Sequence, residues 1–393
     1  VNNLKFSLSY GQIGNQEAVS PYGTTILASI GRTDDNAGIF TENTSRYLSP
    51  DLTWETTTNL NAKLDFGFFN RLSGTIEYYN NETNDLIQTV NLPADSGFDA
   101  QVLNVGTVRN SGIEIGLNGD LLQTDDLNVN LGITFTKNTN EIIDLGGDQN
   151  GDGVIDINDA YQTTNGNWLI PGEPISVSYR NNAGGIWQVG EDIQGSTLLS
   201  GDNNTSLRNS SLPGWYKPFD GNGDGVYDAV SDRVVVPQVE DWYGSVILSI
   251  DYKGFDLTAN FLAVEGLYRY NGFLADYAKG GDHRGIFNTV KQNYWTPENP
   301  GGDFARPITS GSGVSNVYWN TMQDASYIRL QNVTVGYSLP KDVLSNLGLS
   351  KLRVYVTGSN LWTETDFQSF SPEASLDRSP EPVSIVAGLQ IGI

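Results

Sequence analysis

The chain has 393 residues with no cysteine, one methionine, one histidine, 44 glycines, 19 tyrosines, 15 phenylalanines and 8 tryptophans, and a formal charge of −24. Without cysteine it has no disulfide, thiolate metal site or sulfur nucleophile, and 22 Lys plus Arg against 46 acids leave no basic stripe for a nucleic acid. No run of about 18 apolar residues is present to form a membrane-spanning helix, so any membrane role must be carried by strands.

The first residues, Val1-Asn2-Asn3-Leu4-Lys5-Phe6, lack the Met, basic region and apolar stretch of a secretory signal and read as a strand already under way. A long polar connection is expected at about 11–55, a short turn at Asn70-Arg71, and a second long connection at about 85–106. In Gly112 to Leu122, Ile113, Ile115 and Leu117 alternate with Glu114, Gly116 and Asn118. After a turn at Thr124-Asp125-Asp126, Val129, Leu131, Ile133 and Phe135 alternate with Asn130, Gly132, Thr134 and Thr136, so the two segments read as a hairpin with two different faces.

Long connections follow at about 140–172 and 190–238, and Ile175 to Tyr179 with Gly185 to Val189 could form one more strand pair between them. Ser245 to Tyr252 turns at Lys253-Gly254 into Phe255, Leu257, Ala259, Phe261 and Ala263. After a connection at about 265–325 come strands at Asn332 to Leu339 and Leu352 to Gly358, joined through Pro340 to Ser350 with a brief helical pattern; a connection at about 363–381 leads to Ile385, Ala387, Leu389, Ile391 and Ile393. Short turns thus alternate with long connections, as in outer-membrane barrels, and tilted strands need roughly 9–11 residues to cross the hydrocarbon.

The expected fold is all-β: a transmembrane antiparallel β-barrel portion of ten strands, or twelve if the 175–189 pair belongs to it, with long extracellular loops and short periplasmic turns. Ile113, Ile115, Val129, Ile133, Leu248, Phe261 and Leu389 should face lipid, and Glu114, Asn130 and Thr134 the lumen. Such a sheet would have open edges in lipid, where unpaired backbone groups cost several kcal/mol each. The whole chain, 1–393, is therefore expected to be the C-terminal portion of a longer barrel. A soluble array of β-sandwiches would explain the turns but not the strand lengths.

Two acidic segments carry the spacing of an EF-hand calcium loop. The first offers Asp148, Asn150, Asp152, the Val154 carbonyl, Asp156 and Asp159, with Gly153 at the sharp turn; the second offers Asp220, Asn222, Asp224, the Val226 carbonyl and Asp228, with its closing acid, Asp232, one residue beyond the usual place. The expectation is Ca2+, or alternatively Mg2+, at both, rigidifying loops; the competing reading is a pair of acidic surface turns.

Aromatic residues crowd the long connections: Trp187, Trp215, Tyr216, Trp242, Tyr243, Tyr268, Tyr270, Tyr294, Trp295 and Trp319. Some should be girdle residues at headgroup level. Trp187, Trp215, Tyr216, Trp242, Tyr243, Tyr294 and Trp295 are the candidates for stacking on cargo. The lone histidine, His283, lies among Gly281, Asp282, Arg284 and Gly285 and makes no catalytic constellation, so no enzyme is expected.

Several phrases, in order along nearly the whole chain, resemble the SusC-like family of TonB-dependent transporters: LKFSLSYGQIGN at 4–15, LSPDLTW at 48–54, NVGTVRNSGIE at 104–114, Pro213-Gly214-Trp215 before the second acidic loop, YWTPENP at 294–300, SYIRLQNVTVGYSLP at 326–340 and VTGSNL at 356–361. The resemblance implies a 22-stranded barrel in the outer membrane with an N-terminal plug, energised by TonB and capped by a SusD-like surface lipoprotein. Neither the plug nor the first strands are in this sequence. The family reading is import of a bulky nutrient, a glycan fragment or peptide; the alternative is a structural, secretion-associated or adhesin-like barrel without active uptake.

Overall fold

The computed structural model describes residues 1–17, 28–32, 38–42, 47, 49–92, 94–148, 151–162, 167–272, 293–306, 322–346, 348–373 and 381–393. Its main body is one antiparallel sheet of ten strands, each paired with the next in sequence. The strands are β1 (Asn3–Asn15), β2 (Glu55–Phe68), β3 (Leu72–Asn84), β4 (Thr107–Gln123), β5 (Leu127–Asp144), β6 (Trp242–Tyr252), β7 (Phe255–Glu265), β8 (Tyr327–Ser338), β9 (Lys351–Thr365) and β10 (Ser384–Gly392). They run from 9 to 18 residues, against a mode of about 5–6 in soluble sheets.

Alternation explains why these segments are strands. In β6 one face presents Trp242, Gly244, Val246, Leu248, Ile250 and Tyr252 and the other Tyr243, Ser245, Ile247, Ser249 and Asp251. Cross-strand pairing carries that division through the sheet. One rung reads Leu4, Phe66, Gly74, Leu117, Ile133, Val246, Phe261, Leu330 and Trp362; a rung on the other face reads Lys5, Asp65, Thr75, Gly116, Thr134 and Ser245. The expected lipid-facing and lumenal residues fall on opposite faces, as the sequence pattern requires.

The turns at one end are tight. Lys253 and Gly254 both have positive φ (46° and 89°) between paired Tyr252 and Phe255, which is what a two-residue hairpin following the strand twist demands. The β8–β9 connection contains α1 (Lys341–Asn346), the brief helix the sequence pattern indicated. Near the other end of β8 and β9 the register shifts between Leu330 and Asn332, opposite Trp362 and Ser359, and Asn360 takes φ 53° to absorb the extra residues.

The sequence expectation needs one correction. Val177–Asn181 pairs with Arg233–Pro237, and Ala183–Ile186 with Tyr216–Pro218, so the 175–189 segment forms no hairpin of its own and adds nothing to the ten-stranded sheet. The connections at 140–172 and 190–238 are consequently one, from the end of β5 to the start of β6. Alternation over four or five residues does not distinguish a membrane strand from a short ladder inside a loop.

The sheet has almost no core of its own. Among the described residues the buried apolar side chains of the ten strands are Val108, Ile142, Ala259 and Tyr327, whereas Phe6, Val335 and Leu389 on the apolar face are 67%, 51% and 63% exposed. An apolar face of this extent needs a nonaqueous neighbour. Aromatic rings mark its limits: Phe66, Phe68, Tyr252, Phe255 and Tyr337 at the tight-turn side, Tyr78, Trp242 and Trp362 toward the long connections. That is the arrangement of interfacial girdles.

Candidate functional site

The polar face is built from small uncharged groups bonded across strands. Thr134 and Ser245 hydroxyls lie 2.7 Å apart, Thr334 and Thr357 2.8 Å, and the Asn118 and Asn130 amides exchange hydrogen bonds of 3.2 and 3.0 Å. Its charges are mostly paired: Lys63 lies 3.6 Å from Asp65 and 4.0 Å from Glu77, and Arg353 is joined to Asp256. A depression of about 740 Å³ opens on this face, lined by Lys5, Asp65, Thr75, Asn118, Thr134 and Ser245 among others.

Toward the long connections the polar face acquires cover. The segment at 167–173 docks through Ile142 N–H to Glu173 O (2.9 Å) and Gly172 N–H to Ile142 O (2.7 Å), burying Val108, Ile142 and Leu169 together. On β8, Arg329 is 4% exposed, with Nη1 2.5 Å from Glu373 and 2.9 Å from Glu381. Burial raises the Glu373 carboxyl, but hydrogen bonds from Tyr327 and Arg329 and the Arg329 charge outweigh it and hold the group below the usual carboxylate range. Sequence reasoning missed this cluster. The available signal was a cation, Arg329, at a polar-face position of an otherwise uncharged strand.

The connection between β5 and β6 has its own core: Trp187, Ile193, Leu199, Trp215 and Tyr216, joined by Ala305 from the β7–β8 connection. Trp187 and Trp215 are cross-bonded (Trp187 N–H to Trp215 O, 2.8 Å; Gly214 N–H to Trp187 O, 2.7 Å). Trp295 lies against Gly214, and its indole N–H donates to Gln188 at 2.8 Å, while Arg306 N–H donates to Gly214 O at 2.8 Å. Lys217 lies over the Trp187 ring and also pairs with Glu191 at 2.5 Å. Burial raises Glu191, yet hydrogen bonds from Lys217 and the Gln188 backbone leave it below the usual carboxylate range.

The seven aromatic candidates therefore separate by place. Trp187, Trp215, Tyr216 and Trp295 are buried, holding loop to loop. Tyr294 is half-buried with its ring edge on Phe304. Trp242 belongs to the apolar face, its ring 5.7 Å from that of Phe135, a girdle position and not a lumenal one. Tyr243, paired with Thr136 beside Glu114, lies on the polar face and is 40% exposed. Trp319 and His283 lie outside the described residues, as does Asn150.

The two acidic segments share one backbone path. Asp148 accepts from Gly151 (2.6 Å) and Gly153 (2.6 Å); Asp220 accepts from Gly223 (2.7 Å) and Gly225 (2.8 Å). The four glycines have φ between 77° and 88°. Val154 and Val226 N–H both donate 2.8 Å bonds, to Asp152 and Asp224. The closing acids are buried in both: Asp159 accepts from Asp156 N–H (3.0 Å), and Asp232 from Asp228 N–H (2.6 Å). Asp232 thus does in the second loop what Asp159 does in the first, despite the one-residue offset. Backbone hydrogen bonds from Ser231 and Val230 hold the Asp228 carboxyl below its usual range. Among the described residues no three acidic or histidine side chains converge on one point; the carboxylates are turned onto their own backbone, although the donor set is all oxygen, as a hard cation prefers.

A two-faced antiparallel sheet with girdles, tight turns at one end and structured loops at the other defines an outer-membrane β-barrel. A family model described as "TonB dependent receptor-like, beta-barrel" matches residues 1–361, and the chain belongs to that family. Within it the chain is of the SusC-like kind. It is 33% identical to TonB-dependent receptor P26 of Formosa agariphila over 95% of this chain and 36% of that protein, and 27% identical to TonB-dependent receptor SusC of Bacteroides thetaiotaomicron over 96% of this chain and 35% of SusC. The chain thus spans about a third of the length of these relatives. Among solved structures, the RagAB peptide transporter matches with a TM-score of 0.73 at 26% identity over 99% of this chain and 41% of that one. The RagAB importer in its open-open state matches with a TM-score of 0.75 at 25% identity over 100% and 40%.

Proposed function

We propose that this chain is the C-terminal portion of the barrel of an importer that carries a bulky nutrient, a glycan fragment or a peptide, across the outer membrane. The drive would come from TonB, and a SusD-like lipoprotein would close over the cargo. One observation carries the reading: 99% of the chain, the ten-stranded sheet included, is covered by the match to the solved RagAB peptide transporter, with a TM-score of 0.73 and 26% identity. Relatives named as TonB-dependent receptors support the energy source. Among the described residues the outer edges of β1 and β10 have no partner strand, which supports a larger barrel that completes the sheet.

Of the aromatic candidates, Tyr243 is the one we assign to cargo, because its ring lies on the polar face and is accessible. We also propose that both acidic loops bind calcium. Support comes from the oxygen donors of Asp148, Asp152 and Asp156, repeated at the same spacing by Asp220, Asp224 and Asp228 with Asn222 between, from the buried closing acids Asp159 and Asp232, and from the shared glycine turns. The ion would neutralise carboxylates that otherwise repel and so stiffen the loops.

The test is uptake of labelled oligosaccharides and peptides by cells carrying the intact transporter, with and without TonB. Accumulation that requires both is expected. Accumulation unchanged by loss of the transporter or of TonB would overturn the proposal and favour a structural barrel.

A further inference from the structure

Arg329 projects from β8 onto the polar face and is 4% exposed. Its Nη1 meets Glu373 at 2.5 Å and Glu381 at 2.9 Å, and its Nε donates to Thr363 of β9 at 3.1 Å. Tyr327 adds a 2.6 Å hydrogen bond from its hydroxyl to Glu373, and the Arg329 cation lies 4.7 Å from the Tyr327 ring centroid. Ser371 donates to Glu381 at 3.1 Å. Glu373 and Glu381 belong to the two described flanks of one connection, that between β9 and β10. A single wall-mounted cation therefore grips the connection on its way out and on its way back.

The grip is reinforced on the outgoing flank. Phe367 is buried with Leu267 and Ala325, and the Asn271 side chain donates to Gln323 at 2.8 Å and to the Gln368 carbonyl at 3.0 Å. Exposed ion pairs are worth little, but a guanidinium this deeply buried is poorly screened and strongly penalised if its anions leave.

We propose that Arg329 is a latch: its paired bonds to Glu373 and Glu381 hold the two described flanks of the β9–β10 connection against the polar face, and breaking them releases both flanks together. The inference rests on the clamp geometry and is independent of the import reading.

Hydrogen–deuterium exchange on the intact transporter in detergent tests it. Arg329→Gln, and separately the double variant Glu373→Gln with Glu381→Gln, should speed exchange in 366–373 at least about tenfold, while β6 and β7 amides exchange as in the parent. Tyr327→Phe removes only the phenolic hydrogen bond, leaves the charges in place, and should speed the same peptide about two- to tenfold. If Arg329→Gln does not fold, the other two variants decide. Unchanged protection of 366–373 in them overturns the latch, as does loss of protection spread equally through β6 and β7.

Discussion

Leu248→Lys tests which face of the sheet meets lipid. The 11 residues of β6 end in outward-facing Trp242 and Tyr252. At about 3.4 Å per residue the segment is roughly 34 Å long, and at a tilt of about 45° it rises roughly 24 Å. That matches an apolar band of about 25 Å. Leu248 is flanked on its face by Val246 and Ile250 and across strands by Leu131 and Ala259, which sets it roughly 10 Å from the Tyr252 level and close to mid-membrane. Lysine there should cost about 2–4 kcal/mol; taking about 3 kcal/mol, the folded-to-unfolded ratio falls by more than a hundredfold. Ser249→Lys, opposite Asn130 and Thr258 on the polar face, should cost within about 0.5 kcal/mol. Denaturant titration of the intact transporter in phospholipid vesicles, followed by tryptophan fluorescence and band shift on gels, reads both. Equal costs, or a larger cost for Ser249→Lys, would refute the assignment of faces.

Other expectations follow from the loops. Calorimetric calcium titration of the intact transporter should show binding in the range of about 10⁻⁴–10⁻³ M, with one event lost in Asp152→Ala and the other in Asp224→Ala; if both variants retain every event, the acidic loops are ordinary turns. Gly214 has φ 89° and its missing side chain would overlap the Trp295 ring, so Gly214→Ala should cost roughly 1–3 kcal/mol locally and expose 293–306 to limited proteolysis; a cleavage pattern like that of the parent would show that this contact does not hold the segment. Glu373 is held below its ordinary value of 4.5 in the folded state, so its stabilisation is present in full above that value and fades as pH falls through the lower folded value. The difference in unfolding free energy between the parent and Glu373→Gln should therefore shrink on acidification, and a difference that grows would contradict the sign.

The sheet was legible because its two faces meet different solvents, which forces alternation in every strand and leaves a local record such as Val246, Leu248 and Ile250 against Ser245, Ser249 and Asp251. The acidic loops were legible for a similar reason, since a tight oxygen-rich turn fixes Gly and Asp at set intervals. What escaped was long-range. Trp187, Trp215 and Trp295 read as possible cargo contacts because an aromatic in a polar loop has the same local signature whether its ring is free or buried, and only pairing of 183–186 with 216–218 and docking of 293–306 buries them. Trp242 lies one residue from Tyr243, yet a period of two sends them to opposite faces, and the strand's starting residue decides which is which. Arg329 was invisible as a latch because its acids are supplied from beyond the next strand.

Nearest-neighbour order in the sheet has a consequence for assembly. Since each strand pairs with the one just before it in the sheet's sequence order, a new strand needs only to close its own connection onto the free edge of its predecessor. Closure cost rises slowly with loop length, by about 0.6 kcal/mol per doubling, so even the connection from Asp144 to Trp242 is a modest obstacle. The order thus permits extension hairpin by hairpin, and a lesion in one strand such as β2 removes the pairing edge of its two neighbours, β1 and β3, and of no other strand.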